Sequence, residues 1–264
     1  MTAAVAERTL AEHAHRIRRT VLEMCRGRGQ GYAGQGLALA ELMAYLYFEE
    51  LRPERDRFLL STGHSAIALF AVLHELEVYE LDELRTYGMD GSRIEESPLE
   101  GTPGFEVTAG SLGQGPSQAV GMALAERLHG EGNRVVCLLS DGELQEGQVW
   151  EAAMAAGHFG LDNLVLLVDN NHMQADGDVA EVMTVEPVPE KFAAFGFHTR
   201  RIDAHSFEEL REAFAEARSV RGKPTALVCE TLPGKGVPSL EAYEKVHYIR
   251  AEAAVWDRAV EELG

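Results

Sequence analysis

Apolar positions along this chain repeat at two periods. Residues 8–26 place Leu10, Ala14, Ile17, Val21 and Met24 three or four apart, which predicts an amphipathic helix ended by the glycine-rich run 27–36. A second helix is expected over 37–51, closed by Pro53. Beyond it, short apolar runs alternate with helical stretches. Residues 57–60, 134–139, 164–168, 198–202 and 225–229 read as strands. Residues 66–76, 117–129, 190–195, 206–218 and a segment from about Ala251 read as helices. Strands alternating with helices predict an α/β fold, a doubly wound parallel sheet with helices on both faces and right-handed crossovers. Between Asp90 and Val107 lies an irregular stretch with Pro98 and Pro103, and loops of that length in a compact domain tend to be functional.

Composition narrows the classes. With 264 residues and 45% hydrophobic content, the chain can build one large core, and a single domain over 1–264 is the expectation. A net charge of −19 argues against nucleic acid, whose phosphates need a clustered cationic surface, and equally against an anionic membrane face. Of Cys25, Cys137 and Cys229, two sit inside apolar strand-like runs, where buried structural thiols are the usual explanation. A reducing compartment fits such usage. No uninterrupted apolar run is long enough for a signal segment or a spanning helix, so a cytoplasmic location is expected.

The candidate chemistry lies between Ser140 and Gly177. One strand-like run is followed by Asp141-Gly142-Glu143, a helical stretch intervenes, and the next run is followed by Asn170-Asn171. An Asp-Gly pair alone is a turn signal. Ligands of open parallel sheets, however, bind outside the carboxyl ends of the strands. Asp141 and Asn171 are therefore expected to converge, offering a carboxylate oxygen and an amide oxygen to a hard cation. Mg²⁺ holding a diphosphate suits such donors, with Ca²⁺ as the alternative.

This ordered combination resembles the thiamine-diphosphate-binding motif of transketolases. The likeness extends from Leu60-Ser61-Thr62-Gly63-His64-Ser65 through the stretch 107–115 to Gly234-Lys235-Gly236. It implies thiamine diphosphate as cofactor and Mg²⁺ held by Asp141, Asn171 and the main-chain carbonyl of Met173. Cofactor contacts are implied for His64, Gly110, Leu112, Asp141, Gly142, Glu143, Asn171 and His247. His64 matches a histidine that touches both cofactor and substrate, and His247 one that touches the diphosphate. Glu146 and Glu151, a solvated helix face on the plainest reading, match carboxylates that link two cofactor sites across a subunit interface.

Family enzymes carry a pyrimidine-binding domain and a further domain beyond the segment matched here. The resemblance is thus to the N-terminal subunit of a split transketolase, completed by a C-terminal partner with the pyrimidine-binding domain in an α2β2 assembly. Three positions depart from the pattern. Tyr32 and Ser97 stand where the family has substrate-facing histidines, and Ser140 replaces the first glycine of Gly-Asp-Gly. The expected activity is a two-carbon ketol transfer between sugar or keto substrates, with a non-standard donor or acceptor. The α-chain of a 2-oxoacid dehydrogenase-type complex, or a non-catalytic cofactor-binding or regulatory subunit, are the alternatives.

Overall fold

The computed structural model describes residues 8–108 and 110–264, so Ala109 of the 107–115 element lies outside the described residues. The chain divides into two compact units: one holds the described residues up to Glu49, Gly63–Gly104 and Leu232–Gly264, the other Glu50–Thr62 and Phe105–Thr231.

In the first unit, helix α1 (Leu10–Arg28) opens on a capping box. The Glu12 N–H donates to Thr9 Oγ1 at 3.3 Å, and the Thr9 N–H donates to Glu12 Oε2 at 2.7 Å. It closes at Gly29, whose φ of +78° is a conformation that glycine adopts without strain. Its buried stripe of Ile17, Val21 and Met24 packs against α2 (Ala66–Glu75). The glycine-rich run is not the loop its composition suggests, because helix already forms over Ala33–Ala38. Close packing explains the glycines: a Cβ on Gly34 would lie 2.2 Å from the Val246 carbonyl oxygen, and one on Gly36 would lie 2.8 Å from Val21 Cγ1. The helix expected over 37–51 is likewise divided, into Ala40–Tyr45 and a wider turn over Leu46–Glu50. Gln30–Gly31 pairs antiparallel with Ile249–Arg250, and the C-terminal helix Ala253–Leu263 packs on α1.

The second unit holds the sheet. Its strands are β1 (Arg57–Leu60), β2 (Val135–Ser140), β3 (Leu164–Asn170), β4 (His198–Asp203) and β5 (Thr225–Glu230). They lie in the order β1-β2-β3-β5-β4, all parallel. Helices α3 (Gln114–His129), α4 (Gly147–Phe159), α5 (Val188–Ala194) and α6 (Phe207–Ser219) flank it. Every residue of β2 and β3 is buried, as their unbroken apolar runs require of a sheet covered on both faces. On one face Cys137, Leu139, Leu166, Val168 and Val228 form a core with Ala119 and Ala123 of α3, Ala153 of α4 and Phe192 of α5. The three cysteines are buried and unpaired. Helix α3 begins three residues ahead of the position periodicity suggests, because Gly113 at φ +83° turns the chain directly into it.

Candidate functional site

The register of β2 against β3 decides the geometry at their carboxyl ends. Ser140 lies beside Asp169, so Asp141 leaves one strand where Asn170 and Asn171 leave the other. The Asp141 carboxylate ties the two ends together. Its Oδ1 accepts the Gly142 N–H at 2.7 Å, and its Oδ2 accepts the His172 N–H at 2.6 Å. His172, for which the sequence suggested no role, thus holds the turn, at φ +62°. Asn171 braces the other side: its amide nitrogen donates to Asp169 Oδ2 at 2.7 Å, and its Oδ1 accepts the Met173 N–H at 2.9 Å. The Thr231 hydroxyl donates to the remaining Asp169 oxygen.

Electrostatically the cluster is short of positive charge. Asp141 is buried and forms no ion pair with a lysine or arginine among the described residues. Burial, and then the neighbouring Asp169 carboxylate, push it up to about 7. Burial raises Asp169 to about 6. A buried carboxylate and an amide oxygen with a lone pair left after Met173 offer oxygen donors only. Such a set fits Mg²⁺ or Ca²⁺, with phosphate oxygens or water filling the other positions. Among the described residues no group of three or more His, Cys, Asp or Glu side chains could hold a metal.

Glu143 works one layer deeper than the sequence indicates. It is buried in the turn Gly142–Gln145, and burial raises its pKa. Its Oε1 accepts the Gly113 N–H at 2.6 Å and the Ser61 hydroxyl, while Ser61 Oγ accepts the Gly115 N–H at 3.1 Å. The carboxylate therefore shapes the glycine loop, and Ser61 passes that constraint on. A Cβ on Gly115 would sit 2.3 Å from Ser61 Oγ, so only glycine admits this approach. Gly110 is exposed, Leu112 and Gly142 are half-buried, and the Thr62 hydroxyl at the end of β1 is buried without a partner. Glu146 and Glu151 are both exposed at the start of α4.

The remaining predicted residues belong to the first unit. His64 and His247 bring their ring centroids to 5.1 Å, and Tyr32 lies 5.5 Å from His64 and edge-on to His247 at 5.7 Å. Burial, helped by His247, lowers His64 to about 3, and burial lowers His247 to about 4. Both rings are therefore neutral near pH 7. Sequence reasoning missed three residues here. Gln35 bonds His247 Nδ1, Tyr248 packs edge-on to Tyr32 at 4.8 Å, and Glu96 accepts the Tyr248 hydroxyl at 2.9 Å and an Arg28 N–H at 2.7 Å. Ser97 is half-exposed, and it is its neighbour Glu96 that ties this loop to the aromatic cluster. A glutamine inside a glycine-rich run was the one signal the sequence offered for Gln35.

A cavity of about 420 Å³ lined by Arg52, Arg134, Arg218, Arg221 and Asn163 lies at the amino ends of β2 and β3. Three of those guanidinium groups are engaged by Asp56 and Glu50, so it is an internal ion-pair network remote from the Asp141 edge.

A family model described as the transketolase thiamine diphosphate binding domain matches residues 10–263. The chain belongs to the transketolase family. It is 48% identical to a transketolase family protein of Sinorhizobium fredii, over 96% of this chain and 94% of that one. It is 38% identical to the 6-deoxy-6-sulfo-D-fructose transketolase subunit of a Clostridium species, over 96% of each chain. Identity is 32% to an apulose-4-phosphate transketolase subunit of Phocaeicola vulgatus, over 97% of this chain and 94% of that one. Among solved structures, Campylobacter jejuni transketolase superposes with a TM-score of 0.87 at 32% identity, covering 100% of this chain and 43% of that one. The chain thus spans about two fifths of such a full-length transketolase while matching the subunit-sized relatives end to end. The thiamine-diphosphate-binding domain and the α/β fold follow. Among the described residues no helix is long and apolar enough to cross a membrane.

Proposed function

We propose that this chain is the thiamine-diphosphate- and Mg²⁺-binding subunit of a ketol transferase, moving a two-carbon unit from a ketose donor to an acceptor together with a C-terminal partner that carries a pyrimidine-binding domain. The observation that carries the reading is the buried Asp141 carboxylate, which follows β2 where Asn171 follows β3 and pairs with no lysine or arginine among the described residues. When bound, thiamine diphosphate supplies the nucleophilic carbon that takes up and releases the two-carbon fragment. Asp141, Asn171 and the Met173 carbonyl hold the metal, and Glu143 keeps the Gly110–Gly115 turn open for a diphosphate. His64, His247 and Tyr32 are the groups that meet substrate or phosphate oxygens, as neutral rings. Glu146 and Glu151, exposed in the single chain and so free to meet a second subunit, are proposed to link two cofactor sites in an α2β2 assembly.

Two lines support a non-standard substrate. Tyr32 and Ser97 replace imidazoles that face the sugar, and two subunit-sized relatives are named for a sulfo-sugar and for apulose 4-phosphate. Replacing Asp141 with Asn removes the charge while keeping the shape. In calorimetry on the assembled complex, Asp141→Asn is expected to weaken Mg²⁺-dependent thiamine diphosphate binding by at least about tenfold, roughly 1.4 kcal/mol. Unchanged affinity would rule this site out.

A further inference from the structure

Gln35 and His247 are 212 positions apart in sequence, and the Gln35 amide nitrogen meets the imidazole at Nδ1. Gln35 is fully buried, and its Oε1 has no partner. That pattern argues for the amide as it stands. As it stands the amide leaves one N–H and the oxygen without partners, whereas turned over it would leave both N–H groups so, and orphaned buried N–H groups are rarer in proteins than under-used oxygens. The N–H therefore donates and Nδ1 accepts. A neutral imidazole carries one ring proton, so that proton is on Nε2. Burial holds His247 at about 4, so the ring remains neutral through the physiological range. Among the described residues Nε2 itself has no hydrogen-bond partner.

The ring is also held in direction. Tyr32 meets it edge-on, Tyr248 meets Tyr32, and the Tyr248 hydroxyl is anchored on the Glu96 carboxylate that Arg28 shares. We propose that Gln35 is a positioning residue that fixes His247 as the Nε2–H tautomer, making it a donor to an acceptor oxygen of the ligand, on a phosphate or on a ketose. A neutral donor of this kind keeps its hydrogen bond at any pH well above the ring's own titration. A protonated histidine would lose its charge on passing neutrality.

The ligand contact rests on the reading of this chain as a ketol-transferase subunit, whereas the tautomer can be read with no turnover at all. The full 264-residue chain labelled with ¹⁵N-histidine provides the first readout, with the His247 signals assigned by their loss in His247→Gln. Wild type is expected to show an unprotonated Nδ1 and a protonated Nε2. A carboxylate at position 35 can only accept, so Gln35→Glu should invert the assignment, and Gln35→Met should give a mixture. A protonated Nδ1 in wild type, or an unchanged tautomer in both variants, overturns the proposal.

The second readout uses the complex with its partner. If the acceptor is a phosphate oxygen, Gln35→Glu should weaken thiamine diphosphate binding by at least about tenfold. If it is a ketose oxygen, KM for the ketose should rise by a similar factor with cofactor affinity unchanged. The uncharged Gln35→Met variant should move the same quantity by a smaller factor, which separates loss of the tautomer from added charge. No change in either quantity removes the donor role. A wild-type complex that binds no thiamine diphosphate would sink the functional reading and leave the tautomer result standing.

Discussion

At the residue scale, burial acts in opposite senses on the acids and the histidines of this protein. His64 is held near 3 in the folded chain, far below the ordinary value of 6.5. Below pH 6.5 the unfolded chain takes up a proton that the folded chain refuses, so this group's stabilisation is complete above that pH and declines as pH falls toward the folded value. Asp141, raised to about 7 without metal, works the other way between its unfolded and folded values. Comparing His64→Asn with wild type isolates the imidazole: denaturant titrations from pH 7 down to pH 4 should lose less stability in the variant. Parallel slopes would contradict the burial of a neutral ring. Tyr32 and Ser97 belong to the same scale. If they set substrate choice, the reconstituted enzyme should use unmodified pentose phosphates poorly, and Tyr32→His with Ser97→His together should raise that turnover about tenfold. Each hydroxyl left unpaired costs about 1 to 3 kcal/mol. Efficient wild-type turnover of those sugars would end the argument for an unusual substrate.

At the element scale, helices α3 and α4 show how one residue type carries opposite meanings. Gly157 in α4 has no room for a side chain, since a Cβ would lie 1.8 Å from the Phe195 carbonyl oxygen. Gly121 in α3 is exposed, with nothing within 4 Å of where its Cβ would stand. Gly157→Ala should therefore destabilise the chain by about 1 to 3 kcal/mol through overpacking. Gly121→Ala should stabilise it by about 0.4 to 1 kcal/mol through helix propensity and a less free unfolded chain. Urea titrations of the two variants side by side test the close approach of α4 to the turn before β4, and equal effects would refute it. Elements long enough to repeat their period were legible in sequence: α1, α2, α6 and all five strands stand within a few residues of their expected bounds. The glycine-rich run was not, because its glycines answer to Val21 and Val246 rather than to a local turn.

At the scale of the whole molecule, α3 and α4 present apolar side chains to solvent in the single chain: Leu128 is 86% exposed, Met154 59% and Phe159 47%. Met154 stands one turn from Glu151, where partner contact is proposed, and Leu128 and Phe159 lie at the far ends of the two helices. On a chain carrying −19 net charge, such exposed apolar side chains are what the proposed second subunit would cover. An obligate interface of this kind should bury more than about 2,000 Å². The chain alone is expected to fold and to release no two-carbon product from any ketose. Adding the C-terminal partner should restore turnover and shift the chain to a larger species in light scattering. Normal turnover by the partner-free chain would show that the split-subunit reading is wrong.

The succession of strands and helices, and with it the Asp141–Asn171 edge, is written in the local pattern of the chain. Apolar period is a local property, and parallel strands joined by a helix must present their following residues at one end. What those residues do to each other was settled only by packing. Nothing local distinguishes Glu143 as the acceptor for Gly113 and Ser61, or Asp169 as the partner of Thr231 62 positions away. The same holds for Gln35 on His247 and for Glu96 on Tyr248, 152 positions apart. A buried polar group must find its hydrogen bond wherever the packed chain delivers a partner, and that delivery is fixed only when distant segments close on each other.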